Sequence, residues 1–321
     1  MGAPFPFKNL KLVDGHGREI HKLRISLLDA CNMSCLYCMP EEKDFLPKKN
    51  WASVEEIVEI AGNLVLYGID QIRLTGGEPL LRPDLRAIIK KLDKLPLSKF
   101  GLTTNAIHLE KELPFLKNTN CQYLNISLDS LDRENFFKIT QTDTFSKVFH
   151  SLIRAKEEGL KVKVNTVLLK GLNDHEIDQF ILFSKKTGIE VRFLELMKIG
   201  VANHYFNKHF ISADEIIKKM KSKWDFKQKP MPKDSTSFNF TFKNGAELGF
   251  IASESKPFCG GCSRLRLGPD GAIRPCLFMD QGISLKGLKG NELLEALQKT
   301  IRLKPINRIP TIERPMHKIG G

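Results

Sequence analysis

Six of the seven cysteines fall into two triads. Cys31, Cys35 and Cys38 form a C-x3-C-x2-C run, and Cys259, Cys262 and Cys276 form C-x2-C-x13-C, leaving only Cys121. A structural zinc site closes with four ligands, usually from C-x2-C pairs or histidines, and a cubane iron–sulfur cluster is ordinarily held by four thiolates. Each triad is one thiolate short. Three thiolates on four irons leave one iron open to bind something else, so the spacing points to chemistry rather than to a structural staple. Three readings compete with it: three disulfides, zinc completed by water or His, and plain buried thiols. Disulfides belong to oxidising compartments and small secreted domains, which suits this 321-residue chain poorly. Zinc is a stronger rival at the second triad, because C-x2-C is common at zinc sites.

Strand and helix patterns alternate over the first ~240 residues, which is the mark of an α/β fold with parallel strands. Strands are expected at Leu23–Leu28, Gln71–Thr75, Phe100–Thr104, Tyr123–Leu128, Val162–Leu169 and Glu190–Leu196. Ser53 with Glu56 and Ser212 with Glu215 read as capping-box helix starts. Thr144–Glu158 and His175–Lys186 carry helical periodicity. Six strand–helix units predict a partial (β/α)6 TIM-like barrel, over residues 1–223, with a C-terminal cluster-binding extension over 224–321. Chemistry in such folds sits at the C-terminal ends of strands, and the first triad follows the first strand. In the extension, Phe238–Phe242 and Glu247–Ile251 flank Asn244-Gly245, the signature of a hairpin with a type I′ turn. A helix is expected near Asn291–Arg302. The tail carries Pro310, Pro315 and two final glycines, and there is no internal repeat or low-complexity tract.

Hydrophobic and charged contents of 41% and 27% are those of an ordinary globular chain. No apolar run approaches the ~20 residues of a membrane span, and Met1–Pro6 lacks the pattern of a signal peptide, so a cytoplasmic protein is expected. The net charge of +13 suits an anionic partner. Neither an arginine-rich tail nor an RNA-binding signature accompanies it. A small anion in a basic pocket suits the charge at least as well as a nucleic acid does, and the partners expected include no nucleic acid and no membrane.

The first triad, followed by Met39-Pro40, resembles the radical S-adenosylmethionine superfamily, and Gly76-Gly77-Glu78-Pro79 after the second strand strengthens the likeness. The other segments narrow it. Arg73-Leu74-Thr75, Thr103-Thr104-Asn105, Asn125-Ile126-Ser127-Leu128-Asp129-Ser130, Lys163-Val164-Asn165 and Arg192–Met197 occur in order. Cys259-Gly-Gly-Cys262-Ser-Arg264-Leu-Arg266-Leu, Arg274-Pro275-Cys276-Leu277 and the closing Gly320-Gly321 complete the series. Together they resemble the GTP 3′,8-cyclase family of molybdenum-cofactor biosynthesis, over nearly the whole chain.

The resemblance implies two [4Fe–4S] clusters. Cys31, Cys35 and Cys38 would hold the first, whose open iron chelates S-adenosylmethionine. Cys259, Cys262 and Cys276 would hold the second, whose open iron meets the guanine base. Tyr37, Gly76, Gly77, Glu78, Thr104, Ser127 and Met197 would bind S-adenosylmethionine. Arg264 and Arg266, at i and i+2 on one face of an extended segment, would take the triphosphate as bidentate forks, helped by Arg24, Arg73, Lys163 and Arg192. Gly320 and Gly321 would reach the site as catalytic support, bare backbone being able to approach closely. The implied reaction begins with reductive cleavage of S-adenosylmethionine, and the 5′-deoxyadenosyl radical takes the ribose C3′ hydrogen so that C3′ attacks C8. Implied partners are GTP, a flavodoxin- or ferredoxin-like reductant, a second copy in a homodimer, and cyclic pyranopterin monophosphate synthase as user of the product. The chain departs from the family pattern at Leu28, Ala30, Gln71 and Ser263, and Gln71 removes one possible phosphate contact. The rival readings are a peptide-modifying radical S-adenosylmethionine enzyme with auxiliary clusters and a zinc-stabilised nucleic-acid-binding protein.

Overall fold

The computed structural model describes residues 11–320. Its centre is a run of parallel strands: β1 Lys22–Ser26, β2 Gln71–Thr75, β3 Lys99–Thr104, β4 Tyr123–Ser127, β5 Lys161–Leu168 and β6 Glu190–Glu195. Each pairs in parallel with the next. Period-two alternation sorts their side chains. In β5, Val162, Val164 and Leu168 are buried, whereas Lys163, Asn165 and Val167 are half-buried on the opposite, concave face. Registration then stacks polar residues into layers across that face, with Arg24 opposite Arg73, Thr103 opposite Asn125, and Asn165 opposite Arg192. Gly101 leaves the space through which Arg73 reaches the carbonyls of Leu102 and Tyr123, at 3.1 and 3.2 Å. A Cβ at Gly101 would stand 2.2 Å from the Tyr123 carbonyl oxygen.

Amphipathic helices return the chain over the outer face, Val54–Leu66 burying Ile57, Ile60, Ala61 and Leu64, and Phe145–Glu157 burying Val148, Leu152 and Ala155. Both expected capping boxes are present, at Ser53/Glu56 and Ser212/Glu215. Ile177–Thr187 stops at Gly188, whose φ of +65° suits a residue without a side chain.

The C-terminal strands are β7 Phe226–Gln228, β8 Phe238–Phe242, β9 Glu247–Ile251, β10 Arg264–Leu267, β11 Ala272–Arg274 and β12 Ile283–Ser284. They extend the same sheet at both edges: β9 pairs in parallel with β6, and β10 with β1. The result is one 12-stranded sheet in the order β12-β11-β10-β1-β2-β3-β4-β5-β6-β9-β8-β7, curved but open. This is the partial barrel, with the extension woven into it. The β8–β9 hairpin corrects one expectation. Gly245 has φ +90° but Asn244 does not have positive φ, so the turn is not type I′, which needs both. Gly245 N donates to Phe242 O, and Phe242 N to Ala246 O. The three-residue loop Lys243–Gly245 thus places glycine alone in the left-handed region, the arrangement of a type I turn with a following bulge. The helix Gly290–Arg302 buries Leu293, Leu297 and Ile301. Among the described residues no helix is long and apolar enough to cross a membrane.

Candidate active site

The loop after β1 is held from below by the loop after β2. Gly77 N and Glu78 N donate to the carbonyls of Leu28 and Ala30, at 2.8 and 2.9 Å. Gly76 has φ +146°, and a Cβ there would meet Leu28 O at 2.4 Å; at Gly77 it would meet Ala30 O at 2.2 Å. The two glycines therefore seat the backbone that leads into Cys31. Leu28 and Ala30, two of the departures from the family pattern, supply carbonyl oxygens here, so the contact does not read their side chains. The turn at Cys35–Cys38 is closed by Cys38 N and Met39 N donating to Cys35 O, and it leans on the helix Arg133–Thr140 through Leu36 N to Ile139 O.

Cys31, Cys35 and Cys38 line one cavity with Tyr37, Gly76, Gly77, Glu78, Thr104, Ser127 and Met197, so the structure brings together every residue assigned to the first cluster and to S-adenosylmethionine. Burial pushes the Cys31 thiol up to about 11 and Cys38 up to about 12. Three clustered thiols suit a metal–sulfur group, whose charge would offset that penalty. Glu78 is 1% exposed and accepts from Leu80 N, Thr104 Oγ1 and Asn105 N at 2.9, 2.7 and 2.7 Å. Burial outweighs these donors and raises its pKa to about 7. Thr104 also accepts from Ala106 N at 2.9 Å, so its hydroxyl braces Glu78. Tyr37 donates to Asp129 Oδ2 at 2.6 Å.

A second cavity holds the other triad, Cys259, Cys262 and Cys276, together with Arg24, Arg192, Arg264 and Arg266. It shares Thr103, Asn165, Leu194 and Met197 with the first, so the two triads face each other across a common wall. Asn165 lines both cavities, and its Oδ1 is buried without a hydrogen-bond partner among the described residues. Arg24, Arg192 and Arg264 continue into a basic cleft toward the N-terminal ends of the strands, which also holds Arg73. Lys163 lines neither cavity and pairs with Glu190 at 2.7 Å, which also takes Arg192 at 2.6 Å. Burial, then repulsion from Arg266, Arg264 and Arg73, drives Arg24 well below its usual value. Arg266 falls to about 10, from burial and from Arg264. This cationic group gains from any bound polyanion.

The tail closes the site. Arg266 Nη1 donates to Gly320 O at 2.6 Å, and Gly320, at φ +74°, would place a Cβ 2.6 Å from Ser26. Gly321 lies outside the described residues. Sequence reasoning assigned no role to Asp129 and Asn105, which line the first cavity, to Lys99 of the basic cleft, or to Arg308 and Lys304, which line the second cavity. Asp129 and Asn105 follow strand ends, a signal that could have found them. Lys304 looks like any solvated lysine near a helix end.

Residues 25–184 match the Radical SAM superfamily and residues 189–311 match Molybdenum Cofactor Synthesis C. Among curated proteins, the GTP 3′,8-cyclase of Synechocystis sp. is 43% identical, over 97% of this chain and 95% of that protein. Those of Aquifex aeolicus and Clostridium botulinum are 40% and 39% identical, over 97% of this chain and all of each. Among solved structures, Streptococcus suis SuiB bound to precursor peptide SuiA aligns with a TM-score of 0.62 at 14% identity, covering 90% of this chain and 68% of that one. Native anSMEcpe with bound AdoMet aligns with a TM-score of 0.62 at 16% identity, covering 88% and 83%. These likenesses share the fold. With 39–43% identity over 97% of its length to these cyclases and both family models matched, the chain belongs to the GTP 3′,8-cyclase family of radical S-adenosylmethionine proteins.

Proposed function

We infer that this protein cyclises GTP to (8S)-3′,8-cyclo-7,8-dihydroguanosine 5′-triphosphate, the first step of molybdenum-cofactor biosynthesis. The observation that carries the reading is the shared wall: a thiol triad on each side, with guanidinium groups on one side only. Cys31, Cys35 and Cys38 would hold a [4Fe–4S] cluster, which with S-adenosylmethionine supplies one-electron cleavage and the 5′-deoxyadenosyl radical that takes the ribose C3′ hydrogen. Glu78, Thr104, Ser127, Tyr37 and Met197 orient the cofactor. The buried glycine–backbone contacts keep water from it.

Cys259, Cys262 and Cys276 would hold a second cluster. Arg24, Arg73, Arg192, Arg264 and Arg266 receive the triphosphate, and Lys163 acts from behind through the Glu190 pair. The reductant is a flavodoxin- or ferredoxin-like donor, the working unit a cytoplasmic homodimer, and the product passes to cyclic pyranopterin monophosphate synthase. A peptide-modifying reading draws only on the fold-level neighbours, whereas the full-length relatives are cyclases.

The test is anaerobic. Reconstituted, reduced protein is given S-adenosylmethionine with GTP, with ATP or with neither. 5′-Deoxyadenosine and a cyclised guanosine product should form with GTP alone, and equal 5′-deoxyadenosine without GTP would sink the substrate assignment. Arg24→Ala should weaken GTP binding about tenfold or more, the loss of one charge-assisted contact of about 1.5–3 kcal/mol, while S-adenosylmethionine binding persists.

A further inference from the structure

Lys304 is 3% exposed, yet among the described residues no carboxylate pairs with it. It lies two residues beyond the helix Gly290–Arg302, and its Nζ donates to Arg264 O at 2.7 Å, Pro275 O at 2.8 Å and Cys262 Sγ at 3.3 Å. An ammonium has three donors and no acceptor, so all three are spent on the second triad and the backbone beside it. One goes to a triad sulfur, one to the start of β10, and one to the residue before Cys276. Burying an ammonium is costly unless it is fully hydrogen-bonded, and among the described residues the only side chain that accepts from it is Cys262.

The lysine is itself braced. Arg18, 8% exposed and paired with Asp14 at 2.6 Å, donates Nη1 to Cys259 O at 2.5 Å and Nη2 to Lys304 O at 3.3 Å. One buried pair of cations thus touches two cysteines of the triad and fixes the approach to the third. Arg264 also donates to Cys262 Sγ, at 3.3 Å, but it is half-exposed in the cavity given above to the triphosphate. Lys304 has no such second task.

We propose that Lys304 is a positioning residue for the second cluster, a built-in donor to its Cys262 sulfur that raises its reduction potential. The proposal rests on the assignment of Cys259, Cys262 and Cys276 as cluster ligands. Hydrogen bonds to cluster sulfurs and nearby positive charge favour the reduced, more negative state.

The experiment is a redox titration of reconstituted wild-type protein, Lys304→Met and Lys304→Arg, followed by electron paramagnetic resonance, with iron and sulfide measured on each sample. Lys304→Met should move the second cluster to a more negative potential and leave the first where it was. Lys304→Arg, which keeps cation and donors, should recover most of the difference. Both clusters present in Lys304→Met at wild-type potentials would overturn the proposal. If Lys304→Met cannot keep its second cluster, the arginine variant decides: retention near the wild-type potential supports the donor role, and loss there too overturns it in favour of a steric one. Wild-type protein carrying ~4 rather than ~8 irons would instead overturn the two-cluster reading, before any variant is compared.

Discussion

Gly77 has no room for a methyl group. A Cβ there would stand 2.2 Å from Ala30 O and 2.5 Å from Asp29 O, both backbone atoms of the segment that delivers Cys31. Gly77→Ala should therefore displace that segment and cost the first cluster, about half of the bound iron, while GTP affinity stays near wild type. Full iron content in the variant would show the loop to be more yielding than this packing implies. The cysteines differ residue by residue as well. Burial raises Cys31 to about 11 and Cys38 to about 12, whereas at Cys262 the burial effect is overcome by Arg264 and Lys304, leaving it at about 6. In metal-free, reduced protein at pH 7.5, Cys262 is then a thiolate and the first triad is not. Brief alkylation followed by peptide mapping should find Cys262 labelled ahead of Cys31 and Cys38. The preference should fade below about pH 6, where Cys262 protonates. Equal labelling of both triads at pH 7.5 would contradict the assignment.

At the scale of elements, the short helix Met316–Ile319 and Gly320 return the chain end to the strand that began the barrel. Gly320 combines a left-handed backbone, contact with Ser26 at the end of β1, and a carbonyl bound by Arg266. A side chain there is strained on two counts, conformation and space. Gly320→Ala is expected to cut product formation by ~10-fold or more, from at least ~1.4 kcal/mol of misplacement. S-Adenosylmethionine should still bind, since Gly320 itself does not line that cavity, although Met316 and His317 of the preceding helix do. Unchanged turnover would remove the tail from the site.

For the molecule as a whole, strands from both sides of residue 223 join one sheet. β9 covers the edge of β6 and β10 covers the edge of β1, so residues 224–321 seal both sides of the barrel while carrying the second triad. We propose that the division at 223/224 is one of chemistry and not of folding. A chain ended at 223 would expose two long parallel edges, which is a recipe for aggregation. It should be insoluble or oligomeric by size-exclusion chromatography, and a monomeric, cooperatively melting 1–223 fragment would refute this. The same closure explains why the basic residues work together. Arg24 and Arg73 come from the barrel and Arg264 and Arg266 from the extension, and only the β10–β1 pairing puts them in one field.

Much of this was legible in order along the chain. Cysteine spacing, the glycine pair, the strand–helix alternation, both capping boxes and the paired arginines of β10 are local signals, because each depends on residues a few positions apart. They fixed the barrel class and grouped the residues of the first cavity, since strand-end positions converge in any such barrel. The Asn244-Gly245 signal failed because turn type depends on how the flanking strands are paired, not on the dipeptide alone. Lys163 is expected at the triphosphate with Arg24, Arg73 and Arg192, and nothing nearby in sequence shows Glu190 beside it. Tertiary structure alone decided that the extension joins the sheet at both edges, that the two cavities share Thr103, Asn165, Leu194 and Met197, and that Lys304 lies against Cys262. These are contacts between segments tens to hundreds of residues apart, set by sheet register and burial, and no local pattern encodes which distant partner a buried charge will find.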